Sequence, residues 1–130
     1  MKMLGKDTKW IDLNKEKFVE ISDKIWSYAE TGLEEFKSSD LLVKTLEQAD
    51  FEVKKGVADM PTSLVATYGS NSPTIAILGE YDALPGLSQV AEPIKKPINK
   101  GAPGHGCGHN LLGTGSLAAV MAVKEAIEAG

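Results

Sequence analysis

The stretch that decides the fold class is TIAILGEYDALPG, residues 74–86. Its first part, Thr74–Leu78, is a short apolar run between a proline and a glycine, which is typical of a strand buried on both faces of a parallel sheet. We therefore expect an α/β fold in which a mainly parallel or mixed central sheet is flanked by helices. Glu80 and Asp82 follow at the end of this predicted strand, where open α/β sheets gather their ligands.

Upstream of this strand, hydrophobic periodicity predicts two helices and two further strands. Apolar residues at helical spacing favour an amphipathic helix over residues 11–30 that ends at Gly32, and a second one over about residues 38–49. Alternating segments at residues 51–57 and 64–68 are typical of strands.

Downstream of the strand, the pattern predicts a long loop followed by a helix. Four prolines interrupt residues 80–108, where no regular periodicity remains. Residues 110–129 are apolar around most of the helix circumference, which favours a buried helix. Because loops of this length in a compact domain are usually functional or disordered, residues 80–108 are the first place to look for a site.

Composition and charge exclude several classes of function. The 130 residues are 42% hydrophobic and 25% charged, as in one ordinary globular domain. The net charge is −4 and the lysines are scattered, which argues against a nucleic-acid partner. No apolar run reaches membrane-spanning length, and none follows the start MKMLGKDTKW as in a signal peptide. We expect a cytoplasmic protein without a membrane partner.

The densest chemical signal is GAPGHGCGHNLLGTG, residues 101–115. A thiolate and an imidazole both bind zinc and related metals, and Cys107 and His109 can face one point from an extended backbone. Cys107 is the single cysteine, so it cannot form an internal disulfide. On the residues alone, it can be a metal ligand, a nucleophile or a buried side chain in a glycine-rich turn.

Three other interpretations of this stretch fit less well. A phosphate-binding loop would need a lysine where Thr114 stands. A cysteine hydrolase would use Cys107 with His105 or His109, but the base in such dyads usually comes from elsewhere in the fold. The dinucleotide-binding fingerprint also fails, because no GxGxxG pattern directly follows a strand within a short βαβ unit.

Two groups of acidic residues complete the candidates. Alternation places Glu80 and Asp82 on one side of an extended segment, where a carboxylate can hold a ligating histidine in one tautomer. Both residues equally suit a plain strand end. Glu30, Glu34 and Glu35 lie near the end of the first predicted helix, and composition alone favours a solvated acidic turn there.

Taken in order, three motifs resemble those of the aminoacylase and carboxypeptidase-like metallopeptidase superfamily. They are WSYAETGLEEFKSSDLL at residues 26–42, GEYDALPG at 79–86 and GHGCGHNLLGTGSLAAVMAV at 104–123. The resemblance is nearest to the branch of amidohydrolases related to p-aminobenzoyl-glutamate hydrolase, and it covers the chain from about residue 26 onward. It implies that residues 1–130 form the N-terminal segment of a partial zinc-peptidase-like catalytic domain, with the rest of that domain and a dimerisation domain absent.

The resemblance also implies roles for individual residues. Cys107 and His109 correspond to the family's Cys-x-His ligand pair, which helps to bind two divalent metal ions, zinc or manganese and alternatively cobalt. Asp82 matches the aspartate of the DALP motif and would support a ligand rather than contact the metal itself. His105 precedes the ligand pair and would contact the substrate or a ligand.

Two departures from the family pattern bear on substrate and activity. Asn110 stands where many N-acyl amino acid hydrolases have aspartate, which favours the aminobenzoyl-glutamate branch. The chain ends twenty-one residues after His109, before the positions of the family's general-base glutamate and its later ligands. We therefore expect the parent protein to cleave an N-acyl or aminobenzoyl amino acid amide through a metal-activated water, and this chain alone to be inactive.

A different class of function stays open beside this one. The chain would then be a standalone, non-catalytic binding or interaction module of the same fold, and a source gene that ends at this point would favour it. For the enzyme we expect a small-molecule substrate and a homo-oligomer, because a partial sheet leaves edge strands and an apolar helix face uncovered.

Overall fold

The computed structural model describes residues 4–130, with side chains from residue 8, as three helices packed with a short hairpin. The elements are α1 (Leu4–Tyr28), α2 (Phe36–Glu47), β1 (Glu52–Lys55), a 3₁₀ turn (Val57–Asp59), β2 (Leu64–Thr67) and α3 (His109–Ala129). β1 and β2 pair antiparallel, with Glu52 opposite Thr67. The predicted helices and the two strands of the hairpin are confirmed, with most ends shifted by one or two residues, although α1 begins seven residues before the predicted start.

One face of α1 forms the centre of the hydrophobic core. Phe18, Ile21 and Ile25 recur at helical spacing and are buried, and Ile25 has no exposed surface. The other buried members of this cluster come from α2, α3 and the start of the hairpin: Leu42, Leu46, Phe51, Leu117, Ala118 and Met121. The core therefore lies between the helices, with the hairpin against α2.

The predicted central strand at Thr74–Leu78 is wrong for the chain that the structure describes. This segment forms no strand, and the residues Ile75 and Leu78 are 80% and 86% exposed. A parallel strand needs neighbours whose backbone groups complete its ladder, and no segment within residues 4–130 supplies one beside it. Parallel pairing within those residues is limited to an isolated bridge between Thr31 and Ala83, so the mainly parallel sheet is not formed.

The last helix is amphipathic rather than buried all round as expected. Leu117 and Met121 face the core, whereas Leu111 and Ile127 are 66% and 58% exposed. Of the helices described within residues 4–130, none is long and apolar enough to cross a membrane.

The end of α1 is joined to the start of α2 by the carboxylate of Glu30. Its two oxygens accept hydrogen bonds from Lys37 N at 3.0 Å, Ser38 N at 2.9 Å and Ser38 Oγ at 2.8 Å. These backbone N–H groups have no partner inside the helix, so Glu30 acts as a cap from outside it. Glu35 is buried and accepts a hydrogen bond from Thr62 Oγ1. The expectation of a solvated acidic turn is wrong for both glutamates.

Truncating the centre of the core should destabilise the fold strongly. We expect Ile25→Ala to lower the free energy of unfolding by about 2–5 kcal/mol, because the removed side chain leaves a cavity. Leu13→Ala, at a position 85% exposed on the same helix, should change it by less than about 0.5 kcal/mol. Urea unfolding followed by circular dichroism measures both. Equal effects would mean that α1 does not present this face to the core.

Removing the cap of α2 should also lower stability. Glu30→Ala should lower the free energy of unfolding by about 1–2 kcal/mol, because two backbone N–H groups lose their acceptor. Glu34→Ala is the matched control, since the Glu34 carboxylate accepts only a long contact of 3.3 Å from Thr31 Oγ1. The same urea titrations compare the two variants, and a loss as large for Glu34→Ala would refute the capping role.

Candidate metal centre

The loop that carries the two candidate carboxylates is attached to the helical part of the molecule at two positions. Ala83 N donates a hydrogen bond of 2.7 Å to Glu30 O, at the end of α1. The hydroxyl of Tyr81 donates to the backbone oxygen of Thr62. Burial raises the pKa of Tyr81, so this hydroxyl remains a donor at neutral pH. The backbone on both sides of residue 82 is thereby held in place.

The second loop of the site, residues 104–108, is anchored through Gly104 and His105. Gly104 and Leu84 exchange two backbone hydrogen bonds of 3.0 Å. His105 Nε2 lies 3.1 Å from Ile25 O, and because a carbonyl only accepts, the proton is on Nε2. Burial lowers the pKa of His105, which favours the neutral ring. Nδ1 is then an acceptor, and it is buried without a partner among the described residues.

His109, the first residue of α3, lies between two carboxylates. Asp82 Oδ1 is 2.7 Å from His109 Nδ1, and Glu80 Oε2 is 3.0 Å from His109 Nε2. The candidate ligand atoms of these three residues all lie within 4.8 Å of one another. The histidine side chain is 17% exposed and that of Glu80 is 64% exposed, so the cluster opens to solvent on the Glu80 side.

The donor chemistry of this cluster fits a divalent metal ion. A neutral imidazole carries one N–H and cannot donate to Asp82 and Glu80 at the same time. A ring with a proton on each nitrogen satisfies both carboxylates, and so does a metal cation at Nε2, since Nδ1–H can then donate to Asp82 while Nε2 faces the cation. A ligating histidine whose second nitrogen is held by a carboxylate is a common arrangement in metal sites.

Cys107 does not belong to this cluster in the structure. Its thiol is free and the residue is exposed, and the close group of potential ligands within the described chain consists of Glu80, Asp82 and His109. Joint ligation by Cys107 and His109 therefore stays a prediction. Alternation makes Glu80, beside Asp82, a carboxylate that could hold a histidine, but the family resemblance assigns a role to Asp82 alone.

The close packing of α3 against residues 79–81 sets the position of the loop that carries Glu80 and Asp82. A Cβ on Gly113 would lie 2.8 Å from Glu80 O, and one on Gly79 would lie 2.9 Å from Ser116 Cβ. Ser116 Oγ also donates a hydrogen bond of 2.7 Å to Leu78 O. Real Cβ atoms do not approach backbone this closely, so only glycine permits the crossing.

Alanine substitutions at two glycines of α3 should have opposite effects. Gly113→Ala should lower the free energy of unfolding by about 1–2 kcal/mol, because the added methyl group pushes the helix from the loop. Gly115→Ala should raise it by about 0.5–1 kcal/mol, since its Cβ would meet open space and alanine favours helix. Chemical unfolding of both variants tests the crossing, and a stabilising Gly113→Ala would contradict it.

Comparisons with known proteins agree with the family resemblance of the three motifs. No protein-family model matches the chain. The chain is 46% identical over 121 residues to a subunit of the p-aminobenzoyl-glutamate hydrolase of Escherichia coli, covering 91% of the chain and 25% of that protein.

Two further relatives are peptidases. Thermostable carboxypeptidase 1 of Saccharolobus solfataricus is 33% identical over 94 residues, which are 71% of the chain and 23% of the relative. Xaa-Arg dipeptidase of Mus musculus is 30% identical over 129 residues, covering 91% of the chain and 26% of the relative. The chain thus spans about a quarter of the length of each relative. It belongs to the aminoacylase and carboxypeptidase-like family of hydrolases that includes this p-aminobenzoyl-glutamate hydrolase.

Proposed function

We propose that this chain supplies metal ligands to an enzyme that hydrolyses the amide bond between an acyl or aminobenzoyl group and an amino acid. The observation that carries the proposal is the position of His109 between Asp82 and Glu80. The relatives support the type of reaction, because their names describe a hydrolase of p-aminobenzoyl-glutamate, a carboxypeptidase and a dipeptidase.

In this proposal each residue of the site has a distinct task. His109 and Cys107 bind the metal, with two divalent ions in the complete site, zinc or manganese and alternatively cobalt. Asp82 accepts the Nδ1–H of His109 and so keeps the lone pair of Nε2 directed at the metal. When bound, the ions would supply Lewis acidity toward the amide carbonyl and would lower the pKa of the attacking water.

His105 is proposed to contact the substrate or a ligand. Its Nε2–H is taken up by Ile25 O, so the atom without a partner is Nδ1, which is buried and can only accept while the ring is neutral; a substrate would reach it once residues 104–108 move apart from their neighbours. This atom suits an N–H or O–H donor, such as the amide N–H of an acyl amino acid. The bond to Ile25 O meanwhile holds the ring plane, so the acceptor has a fixed direction.

Turnover needs a general base as well as metal ligands. The resemblance assigns that base to a glutamate beyond the three matched motifs, and the chain spans only about a quarter of its relatives. We therefore propose that residues 1–130 alone bind metal without hydrolysing substrate. A homo-oligomer is also part of the proposal, supported by exposed apolar side chains such as Ile75, Leu78 and Leu111.

Metal content of the purified chain tests the proposal. We expect mass spectrometry to detect bound divalent metal after loading with zinc or manganese and desalting, and a Cys107→Ala, His109→Ala double variant to lose it. Neither protein should hydrolyse p-aminobenzoyl-glutamate above the rate in buffer.

A matched control is Glu47→Gln, at an exposed position on α2. It should retain the metal content of the unsubstituted chain. Equal metal in the double variant would contradict the metal centre. Turnover that persists through repurification and disappears in the double variant would show that the base lies within these 130 residues.

A further inference from the structure

Glu80 is the member of the cluster that the proposed site leaves without a task. Asp82 holds Nδ1 of His109, whereas Glu80 Oε2 faces Nε2, the nitrogen on the metal side of the ring. We propose that Glu80 is itself a metal ligand, which shares one ion with His109. The inference rests on the proposed metal centre and adds to it a carboxylate that neither the motifs nor the names of the relatives assign.

The distance between the two atoms suits ligands of one ion. Nitrogen and oxygen ligands lie about 2.0–2.1 Å from zinc, so two of them are about 2.9 Å apart at a right angle and about 3.4 Å apart at the tetrahedral angle. Glu80 Oε2 and His109 Nε2 are 3.0 Å apart. The two atoms are thus already spaced as two ligands of one ion would be.

The backbone of Glu80 is held where such a ligand is needed. Its carbonyl oxygen lies against Gly113 of α3, and Leu78 O, two residues earlier, accepts a hydrogen bond from Ser116 Oγ. His109 is on the same helix, one turn before Gly113. One rigid contact therefore sets the distance between the carboxylate and the imidazole. The 64% exposed side chain remains free to reorient toward an ion that enters from solvent.

The charge of the cluster favours a divalent cation. Two carboxylates converge on one imidazole, and the ion pairs found for Glu80 and Asp82 within the described residues run to His109 alone. No lysine among those residues neutralises them. A carboxylate oxygen beside an imidazole also makes the donor set harder than a thiolate and imidazole pair, which favours manganese relative to zinc.

The test compares Glu80→Gln with Glu16→Gln in the full 130-residue chain. Glu16 is an exposed glutamate on α1, so its variant makes the same chemical change away from the cluster. Affinities for zinc and manganese are measured by competition with a chromogenic chelator, and the metal-induced rise in the unfolding midpoint is recorded in parallel. His109→Ala serves as the variant that removes the proposed site itself.

We expect Glu80→Gln to weaken metal binding by about tenfold or more, with a greater loss for manganese, and Glu16→Gln to leave it unchanged. The midpoint without metal should be the same in the unsubstituted chain and both glutamine variants, which separates ligation from a structural role. Unchanged affinity in Glu80→Gln, with binding lost in His109→Ala, would overturn the inference and leave the metal centre standing. Wild-type affinity in His109→Ala, or no binding by the unsubstituted chain, would overturn both.

Discussion

The packing of α3 on the backbone of residues 79–81 is the constraint on which the site depends. His109 and Gly113 are four residues apart and so lie on the same face of the helix. The absence of a side chain at Gly113 lets Glu80 O come directly against that face. Once this contact is made, the imidazole one turn earlier has to lie beside Glu80 and Asp82. The geometry of the cluster therefore follows from a backbone contact and not from the three side chains alone.

The residues that stabilise the fold also position the site. Ile25 is completely buried in the core, and its carbonyl oxygen accepts a hydrogen bond from His105 Nε2. Glu30 caps α2 with its carboxylate and bonds Ala83 with its carbonyl oxygen. Ile25 and Glu30 thus each stabilise the helices and also hold one loop of the site. The loop that carries Glu80 and Asp82 and the loop of residues 104–108 therefore depend on the packing of α1. Substitutions in α1 would consequently change the positions of the site residues even though α1 side chains do not belong to the cluster.

The sequence predicts the helices well because their signal is local. Phe18, Ile21 and Ile25 lie on one stripe at helical spacing, and the stripe is the core face in the structure. The predicted central strand at Thr74–Leu78 has no such local signal. An apolar run predicts a buried strand only if neighbouring strands cover it, and these are a property of the assembled sheet. The buried Glu35 is a similar case, since its partner Thr62 lies 27 residues away.

The sequence draws attention to Glu80, Asp82 and His109 but does not predict how they meet. Alternation places Glu80 and Asp82 on one side of the chain, and family resemblance singles out Cys107 and His109. Spacing alone does not indicate that His109 meets Asp82, because the contact spans 27 residues of irregular loop. Nor does it indicate that the thiol of Cys107 lies outside the close cluster.

The bond between His105 and Ile25 joins residues 80 positions apart, and the bond between Asn110 and Ser22 spans 88. Forming contacts between residues so far apart in sequence costs loop-closure entropy. The hydrogen bonds within α1 and α2 join residues four apart and do not carry this cost. The helices can therefore form early, while the contact of His109 with Glu80 and Asp82 requires α3 to dock. During synthesis, the cluster of Glu80, Asp82 and His109 can assemble only after α3 has left the ribosome, by which time the helical core that supports it has begun to form.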